Sequence, residues 1–594
     1  MCGINGILRK GSDAPPIDRG ELMRTRDAMA TRGPDGTGEW ISPDGTVALG
    51  HRRLAIIDLS SAGAQPMASG DGRFHIVFNG EIYNYRELRA ELQRDGARFR
   101  SSSDTEVILA LFSREGVSGL ARLRGMFALA IWDEVDRSLL LGRDPLGIKP
   151  LYYTYDGATF RFASQVKALE AGGKIPTRID PVGLVGFLLW GSVPEPFTIR
   201  QGVRALPAGH ILWVRAGRVE DPSPLPRETA PAPPDGDDLG VAIADSVRAH
   251  LVADVPVAIF LSAGLDSSVV AAVARRALPE PPVAFTVRFR ELIGTPFDEE
   301  PPAADLAGRL GLRHVATEVG REEFRDLWPR VLAAMDQPSI DGFNTYVVSA
   351  MAAGAGLKVV LSGLGGDELL GGYPSFRDVP RISAWAGRLA RVPGAQRAWP
   401  ALATGFAPSR PKLRGLVRYG ASLAGAYFLR RGLFLPEELP ALLGSDVVAE
   451  GLAAYDPVAH AERALVDAAV ARDGWFAVHH LETAQYMRNQ LLRDADWASM
   501  AHSVELRVPF VDARLREVLL RSRGEAARRP TKADVARRVA PELPGAVLRR
   551  RKTGFYVPVM TWLSGNRPDE PHGHGKASRA LARRVLEAWG VALR

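Results

Sequence analysis

A single cysteine among 594 residues excludes an intrachain disulfide and any thiolate-built metal cluster. No apolar run approaches the ~18 residues needed to cross a bilayer; the best, at 184–190, is far shorter. The opening residues, MCGINGILRK, lack the basic stretch, apolar core and small-residue cleavage site of a secretory signal. An excess of charge is also missing. Lys and Arg number 75 against 68 Asp and Glu, and the resulting +7 is too dilute over this length to mark a nucleic-acid binder. The expectation is a cytoplasmic protein whose partners are small molecules, with no nucleic acid and no membrane. What is present is ordinary for a globular chain, 46% apolar and 24% charged, with material for more than one core.

The one cysteine is Cys2. A lone cysteine is commonly a small buried hydrophobe. At this position, removal of Met1 would leave a thiol and an α-amine on one carbon. A terminal amine titrates near pH ~8 and can serve as the local base for the thiol. Gly3 and Gly6 suggest a close approach to this backbone.

From about residue 40 to 215 the pattern is strand-rich. FHIVFNGEI (74–82) alternates as a strand, and FALAIWD (127–133) with SLLLGRD (138–144) reads as a hairpin. Helices are expected over 85–96 and 102–116, the second with a Ser/Asp start and a Gly stop. This mixture predicts a layered α+β unit. The stretch 221–236, DPSPLPRETAPAPPDG, reads as a linker. Beyond it, short apolar strands (257–261, 283–289, 358–362) alternate with Ala-rich helical segments such as 269–278, which predicts a parallel sheet covered on both faces. The chain after about 376 reads as mostly helical, and 568–578 as a loose tail.

Two Gly-rich turns follow strands in this second half. In Ser262-Ala263-Gly264-Leu265-Asp266-Ser267-Ser268, small residues let backbone N–H groups converge on an anion at a helix N-terminus. The same turn could simply be a Ser-capped helix start. Asp266 would repel a phosphate unless a cation such as Mg²⁺ lay between them. The second turn, Ser362-Gly363-Leu364-Gly365-Gly366-Asp367-Glu368, repeats the arrangement. In an open α/β sheet such strand ends form the ligand crevice, so Asp266 and Asp367 could hold one Mg²⁺–nucleotide between them. The run Arg549–Lys552 reads as a solvated turn or a rim near phosphate. His572 and His574 have no further ligands near them in sequence, and His479 and His480 read as ordinary helix residues.

Taken in order, Met1-Cys2-Gly3-Ile4, RGPDG (32–36), HRRLAIID (51–58), FNGEIYNY (78–85), SDTE (103–106), GRDPLGIKPLYY (142–153), SAGLDSS (262–268), SGLGGDELLGGY (362–373), ELRVPFVD (505–512) and RKTGFYVP (551–558) resemble the glutamine-dependent asparagine synthetase family. The resemblance implies an α+β N-terminal-nucleophile hydrolase domain, layered αββα, over 1–215 and a Pro-rich linker over 216–236. It implies an α/β parallel-sheet domain like the adenine-nucleotide α-hydrolases, with extra C-terminal helices, over 237–565, and a tail over 566–594. Cys2 would attack glutamine, with Asn79 and Gly80 as the oxyanion hole and Arg53, Glu81 and Asp104 holding the amino-acid end. Ammonia would pass internally to a site where Leu261, Ser262, Gly264, Asp266, Ser267, Val287, Ser362 and Gly363 bind ATP. There Asp266 and Asp367 would bind Mg²⁺, and Lys532 would stabilise negative charge. A possible homodimer is left open.

The family usually carries an acidic residue at the position of Leu364, where it is thought to assist adenylate formation; Leu364 can neither accept a proton nor ligate a metal. The expected activity is amidation of aspartate through an aspartyl-adenylate, with Glu368 as a nearby substitute carboxylate. The alternatives are amidation of another carboxylate, such as a cell-wall or secondary-metabolite precursor, or a lactam-forming synthetase. Lactam-forming relatives typically lose the N-terminal cysteine, which is present here.

Overall fold

The computed structural model describes all residues except 1, 12, 216, 227–238, 407–409, 466–472, 522–530, 551–556 and 565–573. Two antiparallel sheets are stacked in the first part of the chain. One runs, in spatial order, Val203–Ala205, Tyr152–Tyr155, Thr159–Ala163, Gly3–Arg9, Val47–Arg53 and Gly36–Ile41. The other runs Arg218–Val219, His210–Arg215, Ser138–Arg143, Gly125–Asp133, Phe74–Ile82 and Met67–Ala68, with Ser223–Pro224 also paired to His210–Arg215.

The side-chain period of two explains why the central strands are apolar almost throughout. In Gly125–Asp133, Ala128, Ala130 and Trp132 fill the space between the sheets with Ile4, Leu49 and Phe162. Phe127, Leu129 and Ile131 face the other way, onto the helix layer formed by Tyr85–Arg94 and Asp104–Glu115. The helix Arg19–Asp27 covers the outer face of the first sheet through Leu22, which packs on Ile7 and Ala48. The result is the expected αββα layering. The helix Asp104–Glu115 starts where Ser103 accepts a hydrogen bond from the Thr105 N–H and stops at Gly116, whose φ of 59° favours glycine.

The second part carries a five-stranded, wholly parallel sheet in the order Arg313–Val319, Val283–Phe289, Val257–Phe260, Val359–Leu361, Glu505–Arg507. Helix Leu265–Ala277 packs on one face and Phe343–Gly354 on the other. The strand order reverses between Val257–Phe260 and Val359–Leu361, which is where open α/β sheets bind ligands. Both Gly-rich turns leave from this point.

Several elements extend past the sequence reading. A strand already forms at Gly3–Arg9, and strands Arg313–Val319 and Glu505–Arg507 complete the parallel sheet. Arg218–Val219 and Ser223–Pro224 pair where a linker was expected, whereas residues 227–236 of that stretch lie outside the described residues. The C-terminal segment is not loose beyond 574: helix His574–Ala588 buries Leu581, Ala582, Val585 and Leu586 in the core of the second domain. Most of RKTGFYVP (551–556), as well as Arg551, Lys552 and His572, lies outside the described residues. Among the described residues no helix is long and apolar enough to cross a membrane.

Candidate functional site: two centres joined by a seam

Cys2 is buried at the start of strand Gly3–Arg9. That strand pairs with Val47–Arg53, Gly3 opposite Arg52, so continuing the register by one residue sets Cys2 opposite Arg53. The Cys2 backbone nitrogen donates to Asn79 Oδ1 at 3.0 Å. Asn79 Nδ2 is buried and has no hydrogen-bond partner among the described residues. An unpaired buried amide donor costs about 1–3 kcal/mol, and beside the Cys2 thiol it is free to donate to an incoming acceptor. Gly80 follows on the same strand. Its register partner Phe127 turns both its N–H and its C=O to Asp144, so Gly80 occupies a non-hydrogen-bonded pair and its N–H points away from that neighbour. A Cβ on Gly80 would lie 2.1 Å from the Met126 carbonyl oxygen, so the close strand contact requires glycine.

Burial pushes the Cys2 thiol up, while the positive charge at the chain's amino end and a hydrogen bond with the Leu54 backbone oppose that rise. The Arg53 guanidinium is anchored by the carbonyls of Ser60, at 2.7 Å, and Asp58. Asp104 Oδ2 accepts from the Ile82 N–H at 3.0 Å; burial dominates its surroundings and pushes its carboxyl up to about 6. The Glu81 carboxylate lies 3.4 Å from Arg507 of the parallel sheet. Burial and the neighbouring Glu505 raise Glu81, and Glu505, which accepts from Arg507 at 2.6 Å, stays the ionised member of the pair.

The two Gly-rich turns meet at the switch point. A Cβ on Gly366 would lie 2.4 Å from Asp266 Cγ, and one on Gly363 would lie 2.6 Å from the Ser267 nitrogen. Only glycine lets the second turn press this closely on the first. Ser267 Oγ accepts from the Ser262 N–H at 3.2 Å and donates to the Gly264 carbonyl at 3.0 Å, which fixes the first loop. Leu261 is buried beneath it, and Val287 is buried on the adjacent strand. Ser362 Oγ accepts from the Leu364 N–H at 3.2 Å. The Lys532 ammonium bonds Asp266 and, at 2.5 Å, Asp367 Oδ1. A cation therefore already sits where Asp266 and Asp367 converge.

Two carboxylates on one cation also suit Mg²⁺, which typically takes one or two protein carboxylates and completes its octahedron with phosphate and water. No group of three or more potential ligands occurs among the described residues. Glu368 is buried behind the turn, accepts from the Tyr373 hydroxyl at 2.7 Å and is pushed up to about 7 by burial and by Asp367.

The centres are joined by a seam. Tyr83, Met126, Leu146 and Ile148 of the first part pack with Met487, Leu492, Val508 and Val511 of the second, and Leu364 lies against this cluster. Beside it runs a buried polar strip. Arg32 donates from Nε to the Cys2 carbonyl at 3.1 Å and forms a two-armed pair with Asp496 at 2.6 and 3.0 Å. Sequence reading did not single out Arg32 or Asp496 as functional, because their relation spans 464 positions. RGPDG and ELRVPFVD carried part of the signal, through Arg32, Glu505 and Arg507.

A glutamine amidotransferase domain family matches residues 1–224, and an asparagine synthase family matches residues 238–582. Glutamine-hydrolyzing asparagine synthetase 1 of Bacillus subtilis is 32% identical, with 95% of this chain and 88% of that protein covered. Amidase chry2 of Gibberella zeae is 32% identical over 87% of this chain and 82% of its own length. The glutamine-hydrolyzing asparagine synthetase B of Escherichia coli is 33% identical over 64% of this chain and 66% of its own.

Proposed function

Because the chain belongs to the glutamine-hydrolyzing asparagine synthetase family, we propose that it frees ammonia from glutamine at Cys2 and uses it to amidate an ATP-activated carboxylic acid at the switch point of its parallel sheet. With Met1 removed, the Cys2 amine takes the thiol proton and the sulfur attacks the side-chain amide carbon of glutamine. The charge that develops on oxygen is met by Asn79 Nδ2 and the Gly80 N–H. The C–N bond breaks, ammonia leaves with the transferred proton, and water releases glutamate from the thioester. The Arg53 guanidinium holds the glutamine α-carboxylate and Asp104 its α-ammonium, with Glu81 beside them.

At the second centre a carboxylate oxygen of the acceptor attacks the α-phosphorus of ATP and pyrophosphate leaves. The ammonia lone pair then attacks the acyl carbon, AMP leaves, and one proton passes to solvent. Leu261, Ser262, Gly264, Ser267, Val287, Ser362 and Gly363 form the nucleotide cradle. Asp266 and Asp367 would hold Mg²⁺, which neutralises phosphate charge when bound, and Lys532 meets the same charge directly.

The observation that carries this reading is the apolar seam that reaches from Tyr83 and Met126, beside the strand of Asn79, to Leu364. Ammonia in water is protonated and lost as a nucleophile, whereas apolar surroundings disfavour the charged form. Leu364 ends that seam with a side chain that cannot trap a proton. The family's name supports aspartate as the first acceptor to test. Leu364 also favours a second reading, the same two half-reactions on a different acid. The test is the full-length protein with ATP, Mg²⁺, glutamine and aspartate. Equal amounts of AMP and asparagine support the aspartate reading, and AMP formed only with another acid selects the second. Glutamate production with no AMP from any acid contradicts the proposal.

A further inference from the structure

A cavity of about 1110 Å³ lies beside the second Gly-rich turn. It abuts Asp367 but is lined by none of the residues assigned to the nucleotide cradle. Drug-sized ligands occupy pockets of roughly 300–1,000 Å³, so this space is far larger than a small diacid such as aspartate requires.

Its walls are also unlike a pocket for a small, strongly hydrated acid. Trp190, Trp328, Tyr373 and Tyr486 supply flat apolar faces. Arg431 lies over the rings of Tyr373 and Tyr486 at 4.4 and 4.0 Å, so guanidinium and aromatic planes form one wall. Gln485, Tyr486, Asn489 and Gln490 reach the cavity from a single π-helical stretch, Glu482–Leu492. Such widened helix is uncommon and concentrates at functional sites. Here it turns three side-chain amides and a phenol toward the cavity.

Four cations line the same space, and their partners differ. Arg377 and Arg430 share Asp378, at 2.9 and 3.3 Å, and Arg431 lies 3.0 Å from the buried Glu482. Lys412 has no carboxylate within ion-pair distance among the described residues. Burial, followed by Arg579 and Arg430, pushes it down to about 8 against the weaker opposing pull of Glu438. The cavity thus offers stacking surface, neutral hydrogen-bonding amides and one ammonium with no direct ion pair among the described residues, all adjoining the turn where the acceptor would be activated.

Resting on the two-centre reading above, we infer that the acceptor is a bulky carboxylic acid with an aromatic body and a second anionic group, which stacks between Tyr486 and the cavity tryptophans while Lys412 takes the second charge. The carboxylate to be activated then points to Asp367 and the nucleotide. The balance of the reaction is unchanged: an acyl–oxygen bond to AMP forms with loss of pyrophosphate, then breaks as the amide forms.

The test uses the full chain with ATP, Mg²⁺ and ammonium chloride, and compares pyrophosphate release with aspartate and with N-benzoyl-L-aspartate. The expected result is a kcat/KM at least tenfold higher for the aromatic acid. Lys412→Ala should then raise KM for the aromatic acid about tenfold with little change in kcat, and Lys412→Arg should restore it; an unchanged melting temperature shows that the fold is intact. An aromatic acid used no better than aspartate overturns the inference. If aspartate is then amidated, the two-centre reading stands without it, and if neither acid releases pyrophosphate and glutamine is not hydrolysed, that reading fails as well.

Discussion

The two centres solve opposite electrostatic problems. The Cys2 centre is buried. Asn79 Nδ2 has no hydrogen-bond partner among the described residues, and burial pushes the Asp104 carboxyl up to about 6. The centre at the switch point is charged, with Asp266 and Asp367 clamped on Lys532 and four cations lining the cavity beside it. On the reading proposed above, the first would hold a neutral leaving group away from protons, and the second would gather phosphate charge. The seam between them must therefore be apolar for one product and closely fitted to both domains.

Separating the centres by mutation should give the largest effects. Cys2→Ala is expected to lower glutamine-dependent amide formation by at least about a thousandfold while ammonium-dependent formation persists. Asp266→Asn should do the reverse, cutting pyrophosphate release about a hundredfold and leaving glutaminase activity in place. Loss of both activities in either variant would break the comparison.

Asn79→Ala should lower glutaminase kcat by about 10²–10³, the usual cost of one oxyanion donor, and leave ammonium-dependent amidation untouched. Arg32→Ala removes a side chain shared by Cys2 and Asp496 and leaves the carboxylate buried without its partner. It should cost about 3–5 kcal/mol of stability, read as a lower Tm. The pH dependence is smaller and applies to one centre only. On the proposed reading Asp104 would hold the glutamine ammonium as the carboxylate, so KM for glutamine should rise as pH falls through about 6, with KM for ammonia-dependent acceptor use unaffected by that group.

Much of this was legible in the sequence where the signal is local. FHIVFNGEI and the 127–144 hairpin carry a period of two, and both Gly-rich turns announce themselves by composition. Strand Glu505–Arg507 was hidden because three residues are too few to show periodicity, and Arg313–Val319 because its residues are mostly polar or half-exposed. The pairs Arg32–Asp496 and Glu81–Arg507 were hidden for another reason, since only the docking of the two domains creates them. The cavity was the least legible feature, because it is assembled from segments between Trp190 and Leu581.

The central claim is that nitrogen passes from Cys2 to the activated acid without entering bulk water. The most direct test supplies glutamine labelled with ¹⁵N in its side-chain amide together with excess unlabelled ammonium, and measures the isotope in the amide product by mass spectrometry. A product that carries the label far above its share of total ammonia is the expected result. A label diluted to the bulk ratio, with both half-reactions running, would contradict the claim.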